Sequence, residues 1–281
     1  MLIKTDTGPA VGDAARAGAA AQPISPLGFI ACPACASDYV AYVQEVLGRR
    51  TGKRFPQYAC LDCRTYFHRS GYREDDAQQR ADFDYLVKQR DNHRAISGQL
   101  CLELITRLPH IQSVLEIGYG MGWFLEACRN YKNPRIKGFE VNPYAHEHAT
   151  KTLGVDCTLG LFDEKHPDRY DLIAAIMVFE HLDAPRELFK DMVGALNPDG
   201  AIYLSVPFFE RRDWPFLRTA GTRPRDLPDL MHDNDVHINH FSINGLERMG
   251  LNLGARTAEA FVSKDTFWKS PGAFPGMLFR F

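Results

Sequence analysis

Four cysteines of this 281-residue chain stand in two short pairs, Cys32-Pro-Ala-Cys35 and Cys60-Leu-Asp-Cys63, with 24 residues between them. A Cys-x-x-Cys turn lets two thiolates meet one Zn²⁺ at ~2.3 Å, and two such turns close a tetrahedron. The segments VAYVQEVL, GRRTGKRF and YAC between the pairs are enough for a β-hairpin. A zinc ribbon over 29–73 is therefore expected, with Cys32, Cys35, Cys60 and Cys63 as ligands. Four sulfurs leave no open position, so the expected zinc is structural and not catalytic. Neither pair opens a helix after a strand in a βαβ unit, which argues against a thioredoxin-like redox role. His68 reads as a surface residue. Cys101, Cys128 and Cys157 sit within apolar patterns and read as core.

A second constellation is Val114-Leu115-Glu116-Ile117-Gly118-Tyr119-Gly120-Met121-Gly122, a strand running into a glycine-rich turn and then a helix. Gly118 and Gly120 permit a tight turn and close approach of a ligand to the backbone, and Gly122 lets the helix start against the strand. Glu116 lies in the approach to the turn, where a carboxylate repels a pyrophosphate and welcomes an ammonium group. Glu140 ends the next strand, where it can accept both hydroxyls of a ribose. The ligand implied has a ribose and a cationic amino-acid part and no diphosphate. S-adenosylmethionine fits that description.

The elements that must position these residues follow from pattern. SVLEI, RIKGFEV, YDLIAAIMV and AIYLSVP read as buried strands, alternating with the helical patterns FLEACRNY, AHEHATKTLG and PRELFKDMVGAL. Such alternation means a parallel sheet covered on both faces, an α/β, Rossmann-like doubly wound fold over 111–281. Before it, over 74–110, apolar residues from Phe83 to Leu108 recur at three- and four-residue steps. They predict linking or capping helices broken near Gly98 and ending before Pro109. Residues 1–28 hold seven Ala, four Gly and three Pro, a composition that predicts a disordered tail. Ribbon and α/β domain are expected to have separate cores.

Composition narrows the function classes. With 45% hydrophobic and 24% charged residues, the proportions are globular. The longest apolar run is eight residues, against the ~20 needed to span a bilayer, and no secretory signal opens the chain. An odd count of seven Cys suits a reducing compartment, hence a cytoplasmic protein. A net charge of −2 is a poor start for gripping nucleic acid through its phosphates.

The chain from about 111 to 281 resembles the class I S-adenosylmethionine-dependent methyltransferases, and by pattern the branch of ubiquinone-type O-methyltransferases and sugar and natural-product methyltransferases. VLEIGYGMG and the acid of GFEVNP match the family's first two motifs. YDLIAAIMVFEHLDAPRELF matches its fourth strand and the signature after it, LNPDGAIYLSVP its fifth strand, and HINHFSINGLERMGL the segment before its last helix. The resemblance implies that Glu116, Gly118, Tyr119 and Gly120 surround the methionine part, with Gly122 completing the turn. Glu140 and Val141 would lie at the ribose, Phe162 beside the adenine, and Ile176 and Met177 beside the sulfonium. Metal-assisted members carry Glu-x-x-Glu-His; here Met177 replaces the first Glu, which speaks against a catalytic Mg²⁺.

Methyl transfer needs alignment and, for hydroxyl or amine nucleophiles, often a base. His181 and His237 are the candidates, with His240 a weaker third. An insertion over 208–236 carries Arg211, Arg212, Arg218, Arg223 and Arg225, followed by Asp226, Asp229, Asp233 and Asp235. It reads either as a solvated loop with internal ion pairs or as a lid in which Arg211, Arg212 and Trp214 meet an anionic substrate. The favoured reading is O- or N-methylation of a small anionic metabolite, such as a sugar nucleotide or a natural-product intermediate, with no membrane partner. The alternatives are an RNA methyltransferase, in which Tyr58, Tyr66 and Phe67 of the ribbon stack bases, and a non-catalytic binding scaffold.

Overall fold

A computed structural model describes residues 30–163, 166–207, 235–261 and 276–281. In chain order the elements are β1 (Val40–Leu47), β2 (Arg54–Cys60), β3 (Tyr66–Phe67), α1 (Asp76–Lys88), α2 (Arg90–Arg107), β4 (Ser113–Ile117), α3 (Trp123–Lys132), β5 (Arg135–Glu140) and α4 (Pro143–His148). After these come β6 (Cys157–Leu159), β7 (Tyr170–Ile176), α5 (Pro185–Gly194), β8 (Leu196–Ser205), β9 (Asn239–His240), α6 (Ile243–Asn252), β10 (Thr257–Phe261) and β11 (Gly276–Arg280). The expected tail, and all but the last two residues of the expected insertion, lie outside the described residues.

Seven strands form one sheet in the order β10-β11-β8-β7-β4-β5-β6. Its center is parallel, and β11 runs antiparallel to both β8 and β10. Every residue of SVLEI is buried, as a strand covered by helices on both faces requires. Asp171, near the start of β7, ties three strands together: its carboxylate accepts from the Gln112 and Ser113 amides at 2.8 and 2.9 Å and from Asn197 Nδ2 at 2.7 Å. The chain proceeds from β4 outward through β5 and β6, then returns to lay β7 on the other side of β4. That reversal opens a crevice at the carboxyl ends of β4 and β7, where open α/β sheets bind ligands.

The ribbon does not stand apart. Its sheet has the order β1-β2-β3-β9, so its last strand comes from the segment HINHFS, far along the chain. Ser242 Oγ donates to the Cys63 carbonyl, and Arg186 Nη1 donates to the Ala34 carbonyl at 2.8 Å. One buried cluster runs from Cys32, Ala34, Cys60, Cys63 and Phe67 through Phe241, Leu246 and Met249 to Leu115, Phe189 and Phe279. The expectation of separate cores is therefore overturned. A four-stranded sheet that borrows a strand cannot be closed by local sequence alone.

Two further expectations fail. His68 is fully buried, stacked between Phe55 and His240 at 5.7 and 5.8 Å, because its amide pairs with the Ile238 carbonyl at 3.0 Å. The helices over 74–110 break at Gln89, and α2 continues through Gly98. A helical Gly costs only ~1 kcal/mol relative to Ala, and Leu100, Cys101 and Leu104 hold α2 in one buried cluster with Val114, Phe124 and Cys128. Phe83 and Leu86 of α1 pack elsewhere, on Met121, Trp123 and Ala145. The two buried faces, not a breaker residue, set the bend.

Candidate functional site

The four ribbon cysteines converge. Cys32 Sγ lies 3.6 Å from Cys63 Sγ, and Cys35 Sγ lies 3.5 Å from Cys60 Sγ. All four sulfurs fall within 4.8 Å of one another and all four residues are buried. Both knuckles turn alike: the Ala36 amide donates to the Cys32 carbonyl at 3.0 Å and the Arg64 amide to the Cys60 carbonyl at 2.9 Å, with φ of 62° and 68°. A tetrahedron with ~2.3 Å metal–sulfur bonds has sulfur–sulfur edges of roughly 3.8 Å, so the donor set and its spacing fit one Zn²⁺.

At the crevice, β4 delivers the glycine turn and β5 delivers Glu140. Gly118 has φ 68°, and a Cβ there would stand 2.5 Å from Val178 Cγ2, so only glycine brings the turn this close to the segment after β7. Glu140 holds the turn: Oε2 accepts from the Gly120 amide at 2.7 Å, and Oε1 accepts from the Val141 and Asn142 amides at 2.8 Å each. Glu116 is buried in mid-strand, and its Oε2 has no hydrogen-bond partner among the described residues. Burial first, then the neighboring Glu140 charge, pushes its carboxyl well above the usual carboxylate range, against a backbone hydrogen bond from Leu125. A buried carboxylate in that condition gains from a cation placed beside it, so the residues present fit a ligand that is cationic at one end.

The other expected cofactor residues surround this turn unevenly. Phe162 is buried, edge-on to Phe139 at 5.3 Å, whereas Val141 is exposed. Ile176 ends β7, and Met177 follows with φ 58°, a left-handed conformation that costs a non-glycine residue ~1–2 kcal/mol. The Met177 amide donates to the Ser205 carbonyl at 2.8 Å, which holds it there. The Tyr119 ring is buried against Gly138 with its hydroxyl 2.7 Å from His146 Nδ1, so its backbone is the part that belongs to the turn.

Helix α1 roofs the turn, an arrangement not legible in the sequence. Leu86 Cδ1 comes within 3.9 Å of where a Gly120 Cβ would be. Asn142 Nδ2 donates to the Gln79 carbonyl at 2.9 Å, and the Tyr144 hydroxyl donates to Asp76. The available signal was the trio Phe83, Leu86 and Val87 on a helix otherwise polar.

On the far side of the crevice, a single 3₁₀ turn, Phe179–His181, brings Glu180 and His181 to His237. His181 Nδ1 is 3.2 Å from the Val236 carbonyl, its Nε2 is 3.8 Å from Glu180 Oε1, and its ring meets that of His237 edge-on at 4.8 Å. Burial raises the Glu180 pKa to about 8. Desolvation of the ring, then the His237 charge, draws the His181 pKa below the usual imidazole value, although its side chain is 38% exposed. His240 lies behind, fully enclosed against His68, and burial holds its pKa well below the imidazole range. Glu180 is the second acid position of the Glu-x-x-Glu-His pattern, and its full burial is not legible there. Arg211, Arg212 and Trp214 lie outside the described residues. Asp235, which is among the described residues, caps the ribbon hairpin, accepting from the Arg50 amide at 2.6 Å and from Thr51 Oγ1 at 2.6 Å.

Residues 86–259, more than half of the chain, match a family model described as a methyltransferase domain. A tRNA U34 carboxymethyltransferase of Campylobacter curvus is 27% identical over 120 residues, which are 37% of this chain and 39% of that relative. The chain thus spans about two fifths of the curated relative it matches. Among solved structures, an O-methyltransferase family protein from Burkholderia thailandensis superposes with a TM-score of 0.54 at 14% identity, over 74% of this chain and 60% of that one. The plantazolicin methyltransferase BpumL in complex with SAH gives 0.53 at 14% identity, over 74% and 91%. Streptomyces venezuelae DesVI gives 0.52 at 17% identity, over 74% and 99%. These likenesses show the fold, and the family match shows the lineage: the chain belongs to the methyltransferase domain family and has the class I methyltransferase fold.

Proposed function

We propose that this methyltransferase transfers the methyl group of S-adenosylmethionine to a hydroxyl or amine of a small anionic metabolite, such as a sugar nucleotide or an acidic natural-product intermediate. When bound, that cofactor supplies a methyl group on a sulfonium, open to in-line displacement. The observation that carries the reading is the pair of buried carboxylates around the glycine turn. Glu116 Oε2 has no hydrogen-bond partner among the described residues and suits the ammonium end, and Glu140, fixed by three amides, keeps a lone pair open on Oε2 for a ribose hydroxyl. Phe162 takes the adenine edge, and the strained Met177 backbone with Ile176 lines the sulfonium. The cysteine cluster holds one structural Zn²⁺ that fastens the ribbon to β9.

On the acceptor side, Arg211, Arg212 and Trp214 of the insertion supply guanidinium and aromatic contacts to an anionic substrate. The RNA reading draws on the tRNA-modifying relative, but it loses the bases' stacking platform. Tyr66 and Phe67 are buried, and Tyr58 is packed on Phe67 at 5.9 Å. The test is transfer of labeled methyl from S-adenosylmethionine to fractionated small-molecule extract and to total tRNA and rRNA. Label confined to anionic small molecules supports the proposal. Label in RNA alone would replace it, and no label in either pool would favor a scaffold.

A further inference from the structure

Glu116 stands on β4 directly beside Gly138 of β5 and Ala174 of β7, and neither neighbor offers it a polar side chain. Its Oε2 is buried and has no hydrogen-bond partner among the described residues. We propose that Glu116 is the proton-exchange residue of cofactor recognition: it carries a proton while the crevice is empty and releases it to solvent when the ligand's ammonium group settles beside it. This inference rests on the S-adenosylmethionine reading of the crevice. It adds the event by which the site tells a ligand with an ammonium end from one without.

The surroundings of Glu116 favor its neutral form. The titratable groups that face it are Glu140 at the end of β5, Cys101 of α2, Cys128 of α3, Cys157 of β6 and Tyr119 of the glycine turn. Each is an acid, a thiol or a phenol, and none of them is a cation. A carboxylate buried without a cation to pair with takes up a proton instead of standing as an isolated charge. A second carboxylate nearby adds like-charge repulsion, so of two acids in one enclosed site one keeps its proton. Hydrogen bonds decide which. Glu140 accepts from three backbone amides. Glu116 receives the Leu125 amide, in the first turn of α3, while its Oε2 stays without a partner among the described residues. The proton therefore resides on Glu116.

An ammonium group beside the same carboxyl reverses the balance. An opposite charge within ~4–6 Å favors the ionized form, and the proton passes to water. Protonated Glu116 and the ligand cation become a carboxylate–ammonium pair and a free proton, with only the carboxyl O–H broken. The direction of the pH dependence follows. While the pH lies below the raised Glu116 value of the empty site, binding releases a proton, and affinity rises with pH by up to about tenfold per unit. Above that value Glu116 is already ionized and the dependence levels off. A nucleoside without an ammonium end leaves Glu116 protonated and shows neither effect.

The test is calorimetric titration of the full chain, purified with its cysteine-bound zinc, with S-adenosylhomocysteine at neutral pH in phosphate and in imidazole buffer. The difference in observed heat between buffers of small and large ionization enthalpy counts the protons released. We expect more than about half a proton per bound ligand, and a Kd that falls several-fold per unit between about pH 6 and 7.5. Methylthioadenosine, which keeps the adenosine and lacks the amino-acid part, should bind to the same protein with no release. Glu116→Gln should bind S-adenosylhomocysteine more weakly, with both the release and the pH dependence lost. Equal release with the two ligands on wild type, or S-adenosylhomocysteine binding with no release, would overturn the proposal, and so would unchanged release in Glu116→Gln. The comparison of ligands on wild type decides the matter even if the variant fails to fold. Absence of S-adenosylhomocysteine binding to wild type would overturn the cofactor reading itself, a result distinct from binding without proton release.

Discussion

Removing the ribbon metal should destabilize the whole molecule. Strand β9 pairs with β3, so Tyr66 and Phe67 are paired with His240 and Asn239. Cys32, Cys60 and Cys63 belong to the same buried cluster as Phe241, Leu246 and Met249. Gly245 of α6 is so close to the ribbon that a Cβ there would meet Thr65 Oγ1 at 2.2 Å and Ala34 Cβ at 3.3 Å. Structural zinc in small sites contributes ~10–16 kcal/mol of apparent binding energy, against a total folding stability of about 5–15 kcal/mol for an ordinary domain. Even if only about 4 kcal/mol of that reaches the shared core, a shift of ~2–4 °C per kcal/mol lowers Tm by roughly 8–16 °C. Scanning calorimetry with and without a strong chelator, with zinc counted by elemental analysis, reads this directly. One transition that moves as a unit is the expected result. A main transition that stays in place while a minor one disappears would refute the shared-core argument, and zinc-free protein with an unchanged Tm would refute the metal assignment.

Gly118→Ala combines a left-handed φ of 68° with a methyl 2.5 Å from Val178 Cγ2; together about 2–5 kcal/mol of stability should be lost, read by denaturant titration, and a loss under ~0.5 kcal/mol would contradict the turn geometry. Leu86→Ala should weaken S-adenosylmethionine binding several-fold and hardly change Tm, because α1 has no fully buried residue; unchanged affinity would mean that the roof over Gly120 plays no part in holding cofactor. Reversing Arg211 and Arg212 to Glu should raise the acceptor's KM and leave cofactor affinity intact. A solvated pair would change either by little, since exposed ion pairs contribute ~0–1 kcal/mol.

What the sequence shows and what it hides divide along locality. The knuckles, the glycine turn and Glu140 are local: fixed spacings along one strand–turn–helix path, with their geometry implied by residue type. The strands β4 and β7 and the AIYLS half of β8 are legible because buried parallel strands read as near-continuous apolar runs, whereas β5 (RIKGFE) is buried only over its last three residues. The loan of β9 to the ribbon and the burial of His68 depend on partners more than 100 residues away, and the order that places β11 between β8 and β10 depends on a reversal of chain direction that no local pattern marks. Glu180 is the sharpest case, since an acid beside a histidine after a strand gives no sign that both its oxygens will be enclosed. Among the described residues no helix is long and apolar enough to cross a membrane, in keeping with the short apolar runs of the sequence.

The central claim is that the crevice at β4 and β5 holds S-adenosylmethionine through Glu140 and Glu116. Calorimetric titration of S-adenosylhomocysteine into wild type and Glu140→Ala tests it most directly. The one charge-assisted hydrogen bond still open to Glu140 is worth ~1.5–3 kcal/mol, or roughly 10–100-fold in Kd at 1.4 kcal/mol per decade. The release of the Gly120, Val141 and Asn142 amides adds to that loss. One site per chain in wild type, weakened at least ~10-fold in the variant, is the expected result. Equal affinity in the two proteins, or no binding to wild type, would contradict the account.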